Sequence, residues 1–112
     1  MEITMEAFAH IESNHMLGLK NVMVKSQFKV NPTREMLLSH CTKLTERHLD
    51  PYDNGGSVKN YFLRLDDVAG WEPKCGETYF IRISVKGRFV KSIYPAQPRP
   101  HKLKILMQRG VA

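Results

Sequence analysis

ETYFIRISVKGRFVKSIY, Glu77 to Tyr94, decides the fold. Apolar and polar residues alternate through Glu77–Val85 and again through Arg88–Tyr94, the period-2 pattern of half-buried strands. Lys86-Gly87 lies between the two runs, and glycine supplies the positive φ that a tight hairpin requires. The stretch therefore predicts a β-hairpin with a two-residue turn at Lys86-Gly87. In that register Ser84 faces Phe89, Ile83 faces Val90, Arg82 faces Lys91 and Phe80 faces Ile93. One face carries Tyr79, Ile81, Ile83, Val85, Val90, Ser92 and Tyr94 and is apolar enough to be core. The other carries Phe80, Arg82, Ser84, Phe89, Lys91 and Ile93. It sets two cations against each other with aromatic rings nearby, an arrangement that favours an anion over that face.

Downstream, Pro95, Pro98 and Pro100 make Tyr94 to Pro100 a stiff, extended connection that cannot be a central strand. Lys102 to Gln108 alternates, with Leu103, Ile105 and Met107 on one side, and is expected as a last strand. Upstream, Lys59 to Leu65 reads as a strand, followed by an irregular connection, Asp66 to Gly76, in which Trp71 is expected as a core plug. Asp50 to Ser57, rich in Asp, Asn and Gly, reads as a loop. Asn31-Pro32 is a helix start, with Asn as N-cap and Pro at the first helical position. Leu37, Leu38, Cys41 and Leu44 form its apolar stripe. Asp50 is disfavoured in helical conformation by Pro51, so the helix should end before it. Glu2 to Ala9 and Lys20 to Val30 both alternate and are expected as a strand pair joined by a loop near residues 12 to 18. The resulting order, β-β-α-β-β-β-β, predicts an α+β fold: a single domain over residues 1–112 with a small, mostly antiparallel sheet and one helix across one face.

Charge is distributed unevenly along this framework. Thr78 to Ala112 contains eight Lys or Arg and no acid, whereas the first 77 residues carry nine basic and eleven acidic side chains. The formal charge of +6 is thus entirely C-terminal. A one-signed segment attracts polyanions, nucleic acid being the commonest. Phosphate contacts are expected from Arg82, Arg88, Lys91, Arg99, Lys102 and Lys104, with Phe80 or Phe89 stacking on bases.

Other classes of function lack their signatures. No apolar run approaches the roughly 20 residues of a membrane span. Met1 to Glu6 has acids where a secretory leader would carry Lys or Arg, and a cytoplasmic location is expected. The two cysteines, Cys41 and Cys75, are expected to be free thiols rather than a disulfide framework. The five histidines show no zinc-ligand spacing, so neither a metal nor another cofactor is expected. Gly55-Gly56-Ser57 lacks the pattern of a phosphate-binding loop.

Arg82-Ile83-Ser84-Val85-Lys86-Gly87-Arg88-Phe89-Val90 resembles the basic C-terminal hairpin of RelE-type ribonuclease toxins. The resemblance covers under a third of the chain. The two N-terminal strands expected here leave the two N-terminal helices of that family without a counterpart. The resemblance implies that Arg82, Arg88 and Tyr94 contact RNA at the cleaved bond.

A small, non-enzymatic nucleic-acid-binding protein is the leading expectation. The rival is a protein-interaction regulator or inhibitor of the kind mobile elements and phages encode, docking its basic face on an acidic or nucleic-acid-binding protein. A RelE-like ribonuclease is the third. An exposed strand edge would allow a homodimer by sheet extension.

Overall fold

Three helices and two antiparallel three-stranded sheets make up residues 1–16 and 25–111, the part of the computed structural model described below. The elements are α1 (Met5–His15), β1 (Gln27–Phe28), α2 (Arg34–Thr42), β2 (Val58–Arg64), β3 (Gly70–Glu72), β4 (Gly76–Thr78), β5 (Phe80–Lys86), β6 (Phe89–Pro95) and α3 (Pro100–Gln108), with a single 3-10 turn at Glu46–His48. The class is α+β, as the sequence predicts, but helices replace the strands expected at both ends.

The main sheet has the order β2-β5-β6. Along its central strand Ile81, Ile83 and Val85 face a core shared with Ile3 and Ile11 of the N-terminal segment and with Leu37 and Cys41 of α2. On the opposite face Phe62 and Phe80 meet Leu106 of α3. Leu106 is fully buried, which is worth about 2 kcal/mol and pins α3 to the sheet. The alternation read along Lys59–Leu65 is realised in β2: Leu63 joins the first core and Phe62 the second.

The hairpin forms, displaced by one residue. Lys86 pairs with Phe89, so the turn is Gly87-Arg88. Gly87 has φ +61° and Arg88, like every described non-glycine residue, does not have positive φ, which is the type II′ pattern. Val85 pairs with Val90, but Ser84 pairs with Ser92, and Lys91 is left over as a bulge. Beyond it Ile83 pairs with Ile93 and Arg82 with Tyr94. The bulge exchanges the faces of everything after it. Ile93 points into the core, while Ser92 and Tyr94 join Arg82 on the other side. The expected pairing of Arg82 with Lys91 is therefore replaced by Arg82 with Tyr94. Tyr79, expected in the core, is 42% exposed, with the Arg64 guanidinium 4.9 Å from its ring centroid.

The N-terminal strand expected over Glu2–Ala9 is the first part of α1. Thr4 caps it, its hydroxyl accepting from the N–H of Ala7 at 3.0 Å. The buried stripe is Ile3, Ala7 and Ile11, spaced by four, whereas Met5, which the alternation placed inward, is 75% exposed. Glu2 bridges to Phe89 in parallel, beside the edge of β6.

Of the second expected strand, Lys20–Val30, residues 17–24 lie outside the described chain, as does part of the loop placed near residues 12 to 18. Gln27–Phe28 is a strand, but it pairs with β3. Gly70 permits this contact, because a Cβ there would lie 2.1 Å from the Gln27 carbonyl oxygen. Helix α2 begins two residues later than Asn31-Pro32 implies, with Thr33 as cap. Trp71 lies in β3 and is only partly buried.

The expected last strand, Lys102–Gln108, is α3. Pro100 opens it, and a Schellman motif closes it: Val111 N–H donates to Leu106 O and Gly110 N–H to Met107 O, with Gly110 at φ +81°.

Candidate nucleic-acid-binding groove

Because the Lys91 bulge turns Tyr94 outward, Arg82 and Tyr94 lie side by side on the face of the main sheet that α3 only partly covers. The Arg82 guanidinium donates to the Tyr94 hydroxyl at 3.2 Å. The His15 ring, from the last turn of α1, stacks on Tyr94 with centroids 4.8 Å apart and planes 18° from parallel. These three side chains sit in a groove of about 790 Å3. Its walls are the C-terminal half of α1, the Glu72-Pro73-Lys74 turn and the connection from Pro95 into α3.

The groove is electropositive. Lys25, Lys74, Arg82, Arg99 and Lys102 line it, against the acid Glu72. Glu72 accepts the backbone N–H of Gln97 at 2.8 Å. Lys102 is neutralised locally: it forms an ion pair with Asp50 at 2.9 Å and lies 5.6 Å from the Tyr52 ring centroid. Burial acts to raise the Asp50 carboxyl, but the hydrogen bonds from Lys102 and the Tyr52 N–H outweigh it and hold the group below the usual carboxylate range. Arg82 also attracts Asp50 at longer range, but it forms no ion pair among the described residues. Its Nε is buried and lacks a hydrogen-bond partner among them. Arg82 is thus a part-buried cation whose hydrogen bond among them goes to a neutral phenol. A charge withdrawn from water without a counter-ion is costly, and an incoming anion removes that cost.

His15 is oriented by Ser26. A carbonyl oxygen can only accept, so the 2.9 Å contact between Nδ1 and Ser26 O places the proton on Nδ1 and the lone pair of the neutral ring on Nε2. Burial lowers the His15 pKa, with Lys25 and His10 adding to the effect against the Ser26 hydrogen bond. The lowered value favours the neutral ring at pH 7.

The eight residues selected from sequence do not form one surface. Arg82, Arg99 and Lys102 reach the groove. Phe80 is 4% exposed in the core beneath α3 and cannot stack on a base. Arg88, Phe89 and Lys91 sit at the hairpin tip, where Phe89 is 38% exposed and the Arg88 guanidinium lies 5.2 Å from its ring centroid. Lys104 is exposed on α3, outside the groove lining. A further C-terminal cation, Arg109, donates to the carbonyl of Leu49 at 2.8 Å and serves the fold. His15, Lys25 and Lys74 were not legible as site residues. A Thr4-capped helix reading of the N-terminus would have carried His15 to the end of α1, but its contact with Tyr94 depends on the bulge.

Among the described residues, no three His, Cys, Asp or Glu side chains converge as metal ligands, and no helix is long and apolar enough to cross a membrane. No known protein family, curated protein or solved structure matches the chain.

Proposed function

We propose that this chain binds nucleic acid and holds a backbone phosphate in the groove at Arg82. The observation that carries the reading is the state of Arg82, a part-buried guanidinium with no ion pair among the described residues, set in the groove wall with Lys25, Lys74 and Arg99 against the acid Glu72. The flat His15–Tyr94 pair supports it by offering a π-surface in the same groove, and bases stack on such surfaces with little regard to sequence. Labelled single- and double-stranded DNA and RNA, titrated with protein at low salt and followed by fluorescence anisotropy, test the reading. If Arg82, Arg99 and Lys25 each meet a phosphate, affinity should fall roughly 20-fold between 50 and 200 mM salt, from a slope of about 0.7 per contact for a single strand. Arg82→Met should bind at least about tenfold more weakly, in line with the loss of one charged hydrogen bond. The reading fails if none of the four nucleic acids binds.

The protonation of His15 favours a second reading, metal-free RNA cleavage. A neutral ring with its lone pair on Nε2 can take the proton of a ribose 2′-hydroxyl. That oxygen then attacks the adjacent phosphorus, the bond to the 5′ oxygen breaks, the 5′ oxygen leaves as a hydroxyl by taking a proton from water, and the proton held by His15 returns to solvent. The products are a 2′,3′-cyclic phosphate and a 5′-hydroxyl end, with Arg82 facing the charge that develops on the phosphate. Under this reading RNA is shortened while DNA of the same sequence is not, and His15→Asn stops cleavage without abolishing binding. RNA recovered at full length removes this reading and leaves the binding proposal standing.

A further inference from the structure

Beside the groove, across His10, lies a second concavity of about 870 Å3 at the tip of the β5–β6 hairpin. His10, exposed on α1, lines both. The second concavity is bounded by Phe89, Lys86 and Lys91, with Glu6 as its acid. Strand β6 joins the two. Its Val90 and Ile93 point into the core, while Phe89 and Tyr94 lie on the opposite face. Phe89 and Tyr94 lie five positions apart, a span of at most roughly 17 Å at the rise of a β-strand, the bulge at Lys91 shortening it. Two aromatic rings, each with a cation beside it, therefore mark the ends of one channel: Arg82 at Tyr94 and Arg88 at Phe89.

From this geometry, and resting on the nucleic-acid reading of the groove, we infer that the two concavities form one track for a single strand, running from Tyr94 past His10 to Phe89. Stacking on either ring needs an unpaired base, and a duplex keeps its bases stacked inside. A duplex is also too stiff to bend between two concavities that lie so close together. A single strand meets both conditions. Arg88 rides on the Phe89 ring in solvent, and an exposed cation–π contact is weaker than a stacked base, so a base can displace it. Charge complementarity points the same way, since cations outnumber acids in both concavities. The bulge at Lys91 serves the track in two ways: it turns Tyr94 toward the groove and leaves the exposed Lys91 side chain between the two rings.

Oligothymidylate and oligouridylate of increasing length test the inference, measured against a hairpin duplex and against Phe89→Ala and Arg82→Met. Phe89 is part-exposed at a turn, and thermal melting verifies that the alanine variant folds. A dinucleotide should bind with dependence on Arg82 alone. A strand of about eight nucleotides should bind roughly tenfold tighter than the dinucleotide, and Phe89→Ala should remove that gain, as expected for one stacked base. The duplex should bind more weakly than the long strand. Affinity that is independent of length, a length gain that survives Phe89→Ala, or a duplex that binds as well as the single strand overturns the track. In each of those cases dependence on Arg82 leaves the groove reading intact. Absence of binding by every oligonucleotide overturns both. Thymidylate and uridylate arms that differ identify which sugar the track prefers.

Discussion

Consider Arg82→Met. Methionine keeps an aliphatic stem of similar length on β5, so packing against the sheet is retained. The substitution loses the 3.2 Å hydrogen bond to Tyr94, long for a charged donor and worth about 1.5 kcal/mol. It also removes a buried Nε–H that lacks a partner among the described residues, and relief of such a group returns about 1–3 kcal/mol. The balance runs from a loss of about 0.5 kcal/mol to a gain of about 1.5 kcal/mol. For a chain of this size about 1 kcal/mol moves the thermal midpoint by roughly 4 °C, so the variant should melt between about 2 °C below and about 6 °C above the wild-type temperature. Urea unfolding followed by circular dichroism at low salt gives the free energy directly. A loss above about 2 kcal/mol would mean that the guanidinium is satisfied within the fold, and would refute the claim that it awaits an anion. A second arm uses mass action. A single-stranded oligonucleotide at a hundred times its dissociation constant should stabilise the wild type by about 2.7 kcal/mol, and the variant by less at the same concentration.

Three further outcomes follow from particular contacts. Gly70→Ala places a Cβ against the Gln27 carbonyl and Pro95; it should cost at least about 2 kcal/mol by denaturant unfolding and raise amide exchange in β1 and β3. Cys75 is exposed, whereas Cys41 is buried in the core with its thiol pushed up to about 11, so a thiol-specific chromophore at pH 8 should label one thiol quickly and the second only on unfolding. The Asp50 carboxyl titrates lower in the fold than in the unfolded chain, so its stabilising effect is complete above the unfolded value near 3.9 and is lost as pH falls through the lower native value. Asp50→Asn should therefore be about 1 kcal/mol less stable than wild type at pH 7, with the gap closing in acid below about pH 4.

The parts of the fold that could be read from sequence are those where one period has no competitor. Lys59–Leu65 and Arg88–Tyr94 alternate over seven residues and each is essentially one strand, whereas the expected first arm, Glu77–Val85, is divided at Tyr79 between β4 of the small sheet and β5 of the main sheet. The ends of the chain went wrong where two periods fit the same residues. Ile3, Met5, Ala7 and Ala9 alternate, but Ile3, Ala7 and Ile11 also fall one helical turn apart, and the Thr4 cap decides in favour of the helix. Leu103, Ile105 and Met107 alternate, but Leu103 and Leu106 share a helix face, and Pro100 with Gly110 punctuates a helix. In both cases the residue that only the strand reading needed inside, Met5 or Met107, is more than half exposed.

The site was harder to read than the fold for one physical reason. A bulge adds a residue to one strand without leaving a mark in composition, and a slip of one residue exchanges the faces of a strand. The acid-free C-terminal segment contains Arg82 and Arg99, which line the groove. It could not show that Lys102 is spent on Asp50, that Phe80 lies under α3, or that His15 arrives from the other end of the chain.

The central claim is that the anion sits at Arg82 and not on the exposed cations of the surface. Side-chain Nε–Hε resonances of the arginines, recorded by 1H–15N NMR while a short single-stranded oligonucleotide is added, test it most directly. The predicted result is a large shift of the Arg82 resonance together with the rings of His15 and Tyr94, saturating with the binding curve. Shifts confined to exposed side chains such as Arg88 and Arg64, with Arg82 unmoved, would contradict it.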